Sequence, residues 1–260
     1  MVSKQISQFV TELLEAEKAC QGIRPLTEQN KNLTVEEAYQ VQLEIVEMKL
    51  AQGNKIIGKK VGLTSDAMQR MLNVNEPDYG HLFDDMQIED GGNVNVSTMI
   101  APKVEAEIGF VLDTDLKGPN VTYLDVMLAT RYIVPTLEII DSRVADWQIK
   151  LADTVADNGS SAKVVIGSQT STLNQVDLRT NSMVLFKNEK LIATGAGAAA
   201  LGHPAEAIAW LANKLYEYDI TLKKDELILP GALSGAEAVT AGDKIEAKFG
   251  SLGNVAVYFK

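Results

Sequence analysis

Two glutamates one residue apart, Glu105 and Glu107, lie in the run Pro102-Lys-Val-Glu-Ala-Glu-Ile-Gly-Phe-Val111. Val104, Ala106 and Ile108 alternate with them, which is the period of a β-strand, where successive side chains swap faces. Both carboxylates therefore share one face. Like charges so placed repel unless water or a cation separates them, and a solvated strand face is the simplest account of this pair alone. A second segment, Tyr132-Ile-Val-Pro-Thr-Leu-Glu-Ile-Ile-Asp-Ser-Arg143, reads as an apolar strand interrupted by Glu138. Acidic side chains are almost never fully buried without a partner. Three carboxylates on two strands suit a hard, oxygen-seeking ion such as Mg²⁺ or Mn²⁺.

Other polar clusters are punctuated by glycine and proline. In Gly58-Lys59-Lys60-Val-Gly-Leu63-Thr64, alternation sends the two lysines to opposite faces, one inward and one solvated. An inward Lys60 would pair with a substrate carboxylate, or act as an acid–base group with a depressed pKa; two surface lysines are the plainer reading. Glu76-Pro-Asp78-Tyr-Gly-His81 reads as a turn in which Asp78 accepts a proton, orients water or only caps the turn. His81 is left without a role. The stretch Asp153-Thr-Val-Ala-Asp157-Asn158-Gly-Ser160-Ser161 reads as a polar loop able to aim donors at an oxyanion or water, although such residues also favour turns for local reasons. Thr194-Gly-Ala-Gly-Ala-Ala-Ala-Leu-Gly-His-Pro204 lacks the Walker and Gly-x-Gly-x-x-Gly patterns and reads as a close-packed wall or loop. Leu229-Pro-Gly231-Ala-Leu-Ser-Gly235 would let backbone approach a ligand at Gly231. There is no Gly-x-Ser-x-Gly elbow, no His-Glu-x-x-His helix and no cysteine–histidine pairing. What remains is carboxylates, a lysine and small donors around an ion, which suits chemistry through an enolate.

The elements that must position these groups follow from periodicity. Ile6, Phe9, Val10, Leu13, Ala16 and Cys20 form a helical stripe, and Thr34-Val-Glu-Glu37 is a capping box that opens a second helix ending near Gly53. Strands are expected at 55–63, 104–112, 133–140, 162–166, 183–187, 227–229, 245–249 and 255–259. Helices are expected at 123–130 and 204–216, with a short one from Thr64-Ser65 through Met71. Strands outnumber helices after residue 55 and do not alternate with them, so the expected class is α+β with a curled, roll-like or barrel-like mixed sheet. The softest boundary divides a helical N-terminal region, 1–54, from a β-rich body, 55–260, unless the whole counts as one domain.

Composition narrows the partners. A net charge of −11 over 260 residues argues against nucleic acid and anionic membranes. The single cysteine, Cys20, allows no internal disulfide and reads as a packing residue. With no signal-like apolar core at the start and no membrane-length apolar run, a cytoplasmic protein is expected.

The strings Gly-Lys-Lys-Val-Gly-Leu-Thr-Ser, Glu-Pro-Asp-Tyr-Gly, Pro-Lys-Val-Glu-Ala-Glu-Ile, Pro-Thr-Leu-Glu-Ile-Ile-Asp-Ser-Arg, Asp-Thr-Val-Ala-Asp-Asn and Gly-Ala-Gly-Ala-Ala-Ala-Leu-Gly-His-Pro together resemble the 2-keto-4-pentenoate hydratase and 4-oxalocrotonate decarboxylase group of the fumarylacetoacetate hydrolase superfamily. The resemblance covers almost the whole chain in matching order. It implies Glu105, Glu107 and Glu138 as metal ligands and Lys60, Asp78 and Ser160 as catalytic groups. The substrate contacts then expected are Leu63, Asp157, Asn158, Ser161 and Gly231. It further implies homo-oligomers, a small 2-oxo or 2-hydroxydienoate substrate and a place in meta-cleavage catabolism of aromatics; a complex with a sister pathway enzyme is left open. Gly159 stands where the group usually has alanine, and Ser161 where its hydratases often have cysteine. The double serine leans toward the decarboxylases, whereas Lys59-Lys60-Val-Gly and Asn75-Glu-Pro-Asp-Tyr-Gly-His lean toward the hydratases. Hydration of 2-hydroxypenta-2,4-dienoate is preferred and 4-oxalocrotonate decarboxylation is the alternative. An acylpyruvate-type C–C hydrolase ranks lower, because His81 with Glu76 or Asp84 makes a poor water-activating dyad. A non-enzymatic oligomer around a structural ion would not require the separate polar turns.

Overall fold

The computed structural model describes residues 4–65, 69–70 and 74–260; most of the short helix expected after Thr64-Ser65 falls outside these. The chain begins with three helices, α1 (Lys4–Ala19), α2 (Leu26–Gln29) and α3 (Val35–Ala51). The capping box is present: Thr34 Oγ1 accepts from the Glu37 amide at 3.1 Å while Glu37 Oε2 accepts from the Thr34 amide at 3.1 Å. Helix α1 buries Ile6, Phe9, Val10, Leu13 and Ala16 and packs on α3.

Then come β1 (Ile56–Gly62), β2 (Asp78–Phe83), β3 (Gln87–Glu89), β4 (Gly92–Val94), β5 (Lys103–Leu112), α4 (Tyr123–Ala129), β6 (Thr130–Ile140), α5 (Leu151–Ala156), β7 (Ser161–Ile166), β8 (Ser182–Lys187), β9 (Lys190–Ala196), α6 (Pro204–Tyr216), β10 (Leu227–Leu229), β11 (Glu237–Ala238), β12 (Lys244–Phe249) and β13 (Gly253–Phe259). They form an eight-stranded sheet of order β2-β1-β10-β5-β6-β7-β3, with β11 also on β5, and a five-stranded sheet of order β4-β13-β12-β8-β9. Pairs β1/β10, β3/β7 and β4/β13 are parallel and the rest antiparallel, so both sheets are mixed. The α+β class holds. The strands divide between two sheets, because β12 and β13 pair with β8 and β4, and among the described residues neither sheet closes into a barrel.

The central strands β5 and β6 show why the larger sheet can carry a site. Val104, Ala106, Ile108 and Phe110 alternate into the main core with Leu137 and Ile139, which they share with Ile245, Ala247, Val255 and Val257 of the smaller sheet and with Ile208 and Leu211 of α6. The opposite face carries the glutamates at one end and a second apolar cluster, including Leu82, Val111, Val134, Val164 and Leu229, at the other. Burial on one side thus fixes the register that turns the polar row to the other.

Three segments depart from the sequence-based expectations. Of residues 76–81, expected as a turn, 78–81 belong to the edge strand β2; Gly62 pairs with Asp78 and Gly80 with Lys60, and all six residues of the strand are buried. Residues 153–156, expected to start a polar loop, belong to helix α5, and 194–196, expected as part of a wall or loop, end strand β9. The lysine pair also differs, since neither is solvated. Lys59 points away from Lys60 and meets both carboxylate oxygens of Glu226 at 2.7 and 2.8 Å in a buried pair. Burial pulls the Lys59 pKa down, and Glu226 opposes it. Lys59→Met leaves the Glu226 carboxylate buried without its cation and is expected to lower the unfolding free energy by about 3–5 kcal/mol in urea titrations, with Lys59→Met/Glu226→Gln recovering much of the loss. A loss below about 1 kcal/mol in the single variant would contradict this account.

Candidate metal centre and active site

The β5/β6 register sets Glu105 directly opposite Glu138 and Glu107 opposite Thr136. All three glutamates therefore face the same way, and one oxygen from each lies within 4.8 Å of the others. Glu107 Oε2 accepts from the Gly231 amide at 2.7 Å, while Glu107 Oε1 and both Glu138 oxygens are buried without a hydrogen-bond partner. Orphaned buried carboxylate oxygens aimed at one point are what a divalent cation would satisfy. The donor set is all oxygen, which fits Mg²⁺ or Mn²⁺ rather than a thiophilic metal.

Lys60 and Asp78 share this face from β1 and β2. Lys60 Nζ stands 3.7 Å from Glu138 Oε2. Burial alone would depress its pKa, but Glu138, Asp78, Glu105 and Glu107 outweigh burial and raise it. Lys60 is therefore a firmly held cation here, not the depressed lysine entertained from sequence. Asp78 Oδ2 accepts from Thr154 Oγ1 of α5 at 3.0 Å, and Asp78 Oδ1 is buried with no partner.

A cavity of ≈ 420 Å³ opens onto these groups. Lys60, Asp78, Glu105 and Ser160 line it together with Leu63, Ile140 and Trp147. Of the expected substrate contacts, Leu63 borders this cavity. Asp157, Asn158 and Ser161 instead line a small space of ≈ 20 Å³ behind it, against α1 and α3. Asn158 has its amide committed to strand β2, accepting from the His81 amide at 2.7 Å and donating to the His81 carbonyl at 2.9 Å. Asp157 is bound by Arg143, and Gly231 serves Glu107 through its backbone. The Gly231 conformation (φ 113°) and the 2.1 Å that would separate a Cβ there from Thr64 Oγ1 leave room for no side chain.

His81 lies on the other face of β2, edge-on to Tyr79 with centroids 5.9 Å apart, and does not border the cavity. Burial pushes its pKa down to about 3, with Lys59 adding to the effect, so it is neutral. Among the described residues this leaves no histidine beside the triad. Sequence reasoning passed over Thr154, Arg143 and the cation–π pair of Lys103 Nζ over the Trp147 ring at 4.1 Å on the cavity wall. Arg143 stood inside a quoted motif, and Lys103 is two residues before Glu105 on the same strand face; only the contacts could give either a place.

The sequence profile of the fumarylacetoacetate (FAA) hydrolase C-terminal family matches residues 58–259, the span that contains every group above. The chain belongs to this family. Among its relatives, the 2-hydroxyhexa-2,4-dienoate hydratase of Comamonas testosteroni is 43% identical over 95% of this chain and 94% of its own. The 2-hydroxypent-2,4-dienoate hydratase of Pseudomonas putida is 45% identical over 83% and 97%. The solved 4-oxalocrotonate decarboxylase of Pseudomonas putida G7, complexed with magnesium and adipate, superposes with a TM-score of 0.96 at 39% identity, covering 99% of this chain and 98% of that one. These relatives are all lyases.

For this family member the electrostatics of the triad give a pH test. Burial, then Glu138, push Glu105 up to about 7 from its ordinary 4.5, and burial with the neighbouring carboxylates raises Glu107 as well. A carboxyl whose folded pKa exceeds its unfolded one stabilises fully below the unfolded pKa and loses that contribution as pH climbs through the folded value. The metal-free protein should therefore lose this contribution between about pH 4.5 and 7. Mg²⁺, which needs the ionised triad, should raise Tm by more at pH 8 than at pH 5.5. Equal Mg²⁺ shifts at the two pH values in calorimetry would rule out the triad as the binding site.

Proposed function

We propose that this chain is a divalent-metal-dependent hydratase that converts 2-hydroxypenta-2,4-dienoate (2-keto-4-pentenoate) into 4-hydroxy-2-oxopentanoate in the meta-cleavage breakdown of aromatic compounds. The observation that carries this reading is the cavity beside the triad. Glu105 borders it, with Glu107 and Glu138 buried just behind, and its wall also presents Lys60, Asp78 and Ser160. The dienoate hydratases among the relatives give the substrate class.

Glu105, Glu107 and Glu138 would hold Mg²⁺ or Mn²⁺, which when bound supplies an electrophilic anchor for the carboxylate and 2-oxygen of the substrate. Ketonisation moves the enol proton to C5; water then adds its oxygen to C4 and a proton to C3. The Lys60 ammonium is placed to hold negative charge on the 2-oxygen as it develops. Asp78, with Oδ1 free of protein partners, accepts a proton from water or orients it, and Ser160 flanks the same space. Leu63, Ile140 and Trp147 exclude water from the carbon tail. We assign this chemistry to the region 55–260, with 1–54 as its helical flank, in a cytoplasmic homo-oligomer. A complex with a sister pathway enzyme remains part of the proposal to be tested by co-purification.

A second reading, decarboxylation of 4-oxalocrotonate, is favoured by the Ser160-Ser161 pair and the likeness to the magnesium- and adipate-bound decarboxylase. The same anchor would make the 2-oxo group the electron sink for loss of CO₂. The C–C hydrolase reading loses its dyad to the buried His81, and a purely structural ion has no use for the adjoining cavity.

With Mg²⁺, the native protein should consume 2-hydroxypenta-2,4-dienoate with appearance of 4-hydroxy-2-oxopentanoate. Release of CO₂ from 2-oxo-3-hexenedioate without hydration would instead select the decarboxylase. Glu107→Gln and Glu138→Gln are each expected to reduce kcat by about 10²-fold or more and to abolish the Mg²⁺-dependent rise in Tm given by oxalate. Full activity in either variant would remove the triad from the chemistry.

A further inference from the structure

Asn158, Gly159 and Ser160 adopt φ values of 56°, 60° and 55°, three successive left-handed residues between α5 and β7. Each non-glycine residue so placed is disfavoured by about 1–2 kcal/mol, so the surroundings must enforce the turn. They do so from several sides. Asn158 is tied to the His81 backbone, the Ser160 amide donates to the Asp157 carbonyl at 2.9 Å, and the Asp141 amide donates to the Ser160 carbonyl at 2.8 Å. Arg143 donates through Nε to Asp157 Oδ1, through Nη2 to the Asp157 carbonyl, and through Nη1 to the carbonyls of Asp141 and Ser161 at 2.8 and 3.1 Å. The turn packs directly on Lys60: a Cβ on Gly159 would lie 2.9 Å from Lys60 Cε and 3.0 Å from Nζ.

Within this frame Asp157 is fully committed as an acceptor. Its Oδ2 receives the Arg143 amide at 3.0 Å, Ser142 Oγ at 3.3 Å and Ser160 Oγ at 3.0 Å. An ionised carboxylate only accepts, and a serine has one proton to give. The Ser160 proton is therefore committed to Asp157, and toward the cavity that Ser160 lines its oxygen has only lone pairs to offer. Asp78 has the same polarity, with Oδ2 occupied by Thr154 and Oδ1 unpartnered.

We propose that Asp157, locked by Arg143, is a positioning residue that fixes Ser160 as a hydrogen-bond acceptor, so that Ser160 and Asp78 together receive both hydrogens of the attacking water. A water held by both its hydrogens presents its own lone pair outward, toward the substrate. This rests on the hydration reading above and gives its water a defined orientation.

The test is a double-mutant cycle of Asp157→Asn and Ser160→Ala, scored on whichever lyase reaction the native protein catalyses. An asparagine at 157 can donate to the Ser160 oxygen and so reverse its polarity without deleting it. Asp157→Asn is expected to lower kcat by about 10²-fold with little change in KM, and to cause no further loss when Ser160 is already alanine. An equal loss in both backgrounds, or a kcat within about twofold of native for Asp157→Asn, overturns the proposal. If Asp157→Asn alone does not fold with Arg143 left unpaired, Arg143→Met/Asp157→Asn removes both charges together and enters the cycle in its place. A wrong substrate assignment shows in the native protein, whereas a wrong positioning role shows only in the variants.

Discussion

Three carboxylates whose oxygens approach within 4.8 Å of one another, two of them fully buried, repel through a medium that screens them poorly. Much of the surrounding architecture answers to that repulsion. Lys60 is brought to 3.7 Å of Glu138, and the Gly231 amide is spent on Glu107. The remaining oxygens are left bare. Asp78 adds a fourth acid on the Lys60 side, so one ammonium faces four carboxyl groups. Such a site is unfavourable when empty of cations and favourable with one, and that asymmetry couples ion binding to the integrity of the fold.

The sheet makes the concentration of charge tolerable. Strands β5 and β6 are buried on the opposite face by packing that involves both sheets and α6, which fixes their register and holds the glutamates against their tendency to splay. The same alternation separates two lysines by function: Lys60 enters the acidic cavity and Lys59 neutralises Glu226 on the far side. A slip of one residue in β1 would turn each lysine to the other face, and Glu226 and Glu138 would no longer both have an ammonium in register.

Much of the polar row was legible in the chain. Alternation put Glu105 and Glu107 on one face, and an acid inside an apolar strand singled out Glu138, because both patterns are local. What joins them is the pairing of Glu105 with Glu138 and the approach of Lys60, which are tertiary facts. Local composition misled where burial overrode it. Residues 78–83 carry glycine near a proline and still form a strand, since β1 supplies the pairing, and Lys59 is buried because its partner lies 167 residues away. The stretch 153–161 looked like one polar loop and is instead a helical turn followed by a left-handed one. Asp157 and Asn158 have the composition of ligand-facing residues, yet their hydrogen bonds are spent on Arg143 and the His81 backbone, which no spacing rule reveals.

The wall of the cavity is built differently from the charged row it adjoins. Glu105, Glu107 and Glu138 come from the middle of the large sheet, whereas Leu63, Trp147, Ile149 and residues 232–236 come from connections between elements. Loops accept substitution and changes of length more readily than central strands do. The charged row and the loop-built wall are thus free to diverge at different rates. Descendants of such a chain can exchange one carbon skeleton for another, or one leaving fragment for another, by rebuilding a few surface connections while the charged row beneath them is inherited intact.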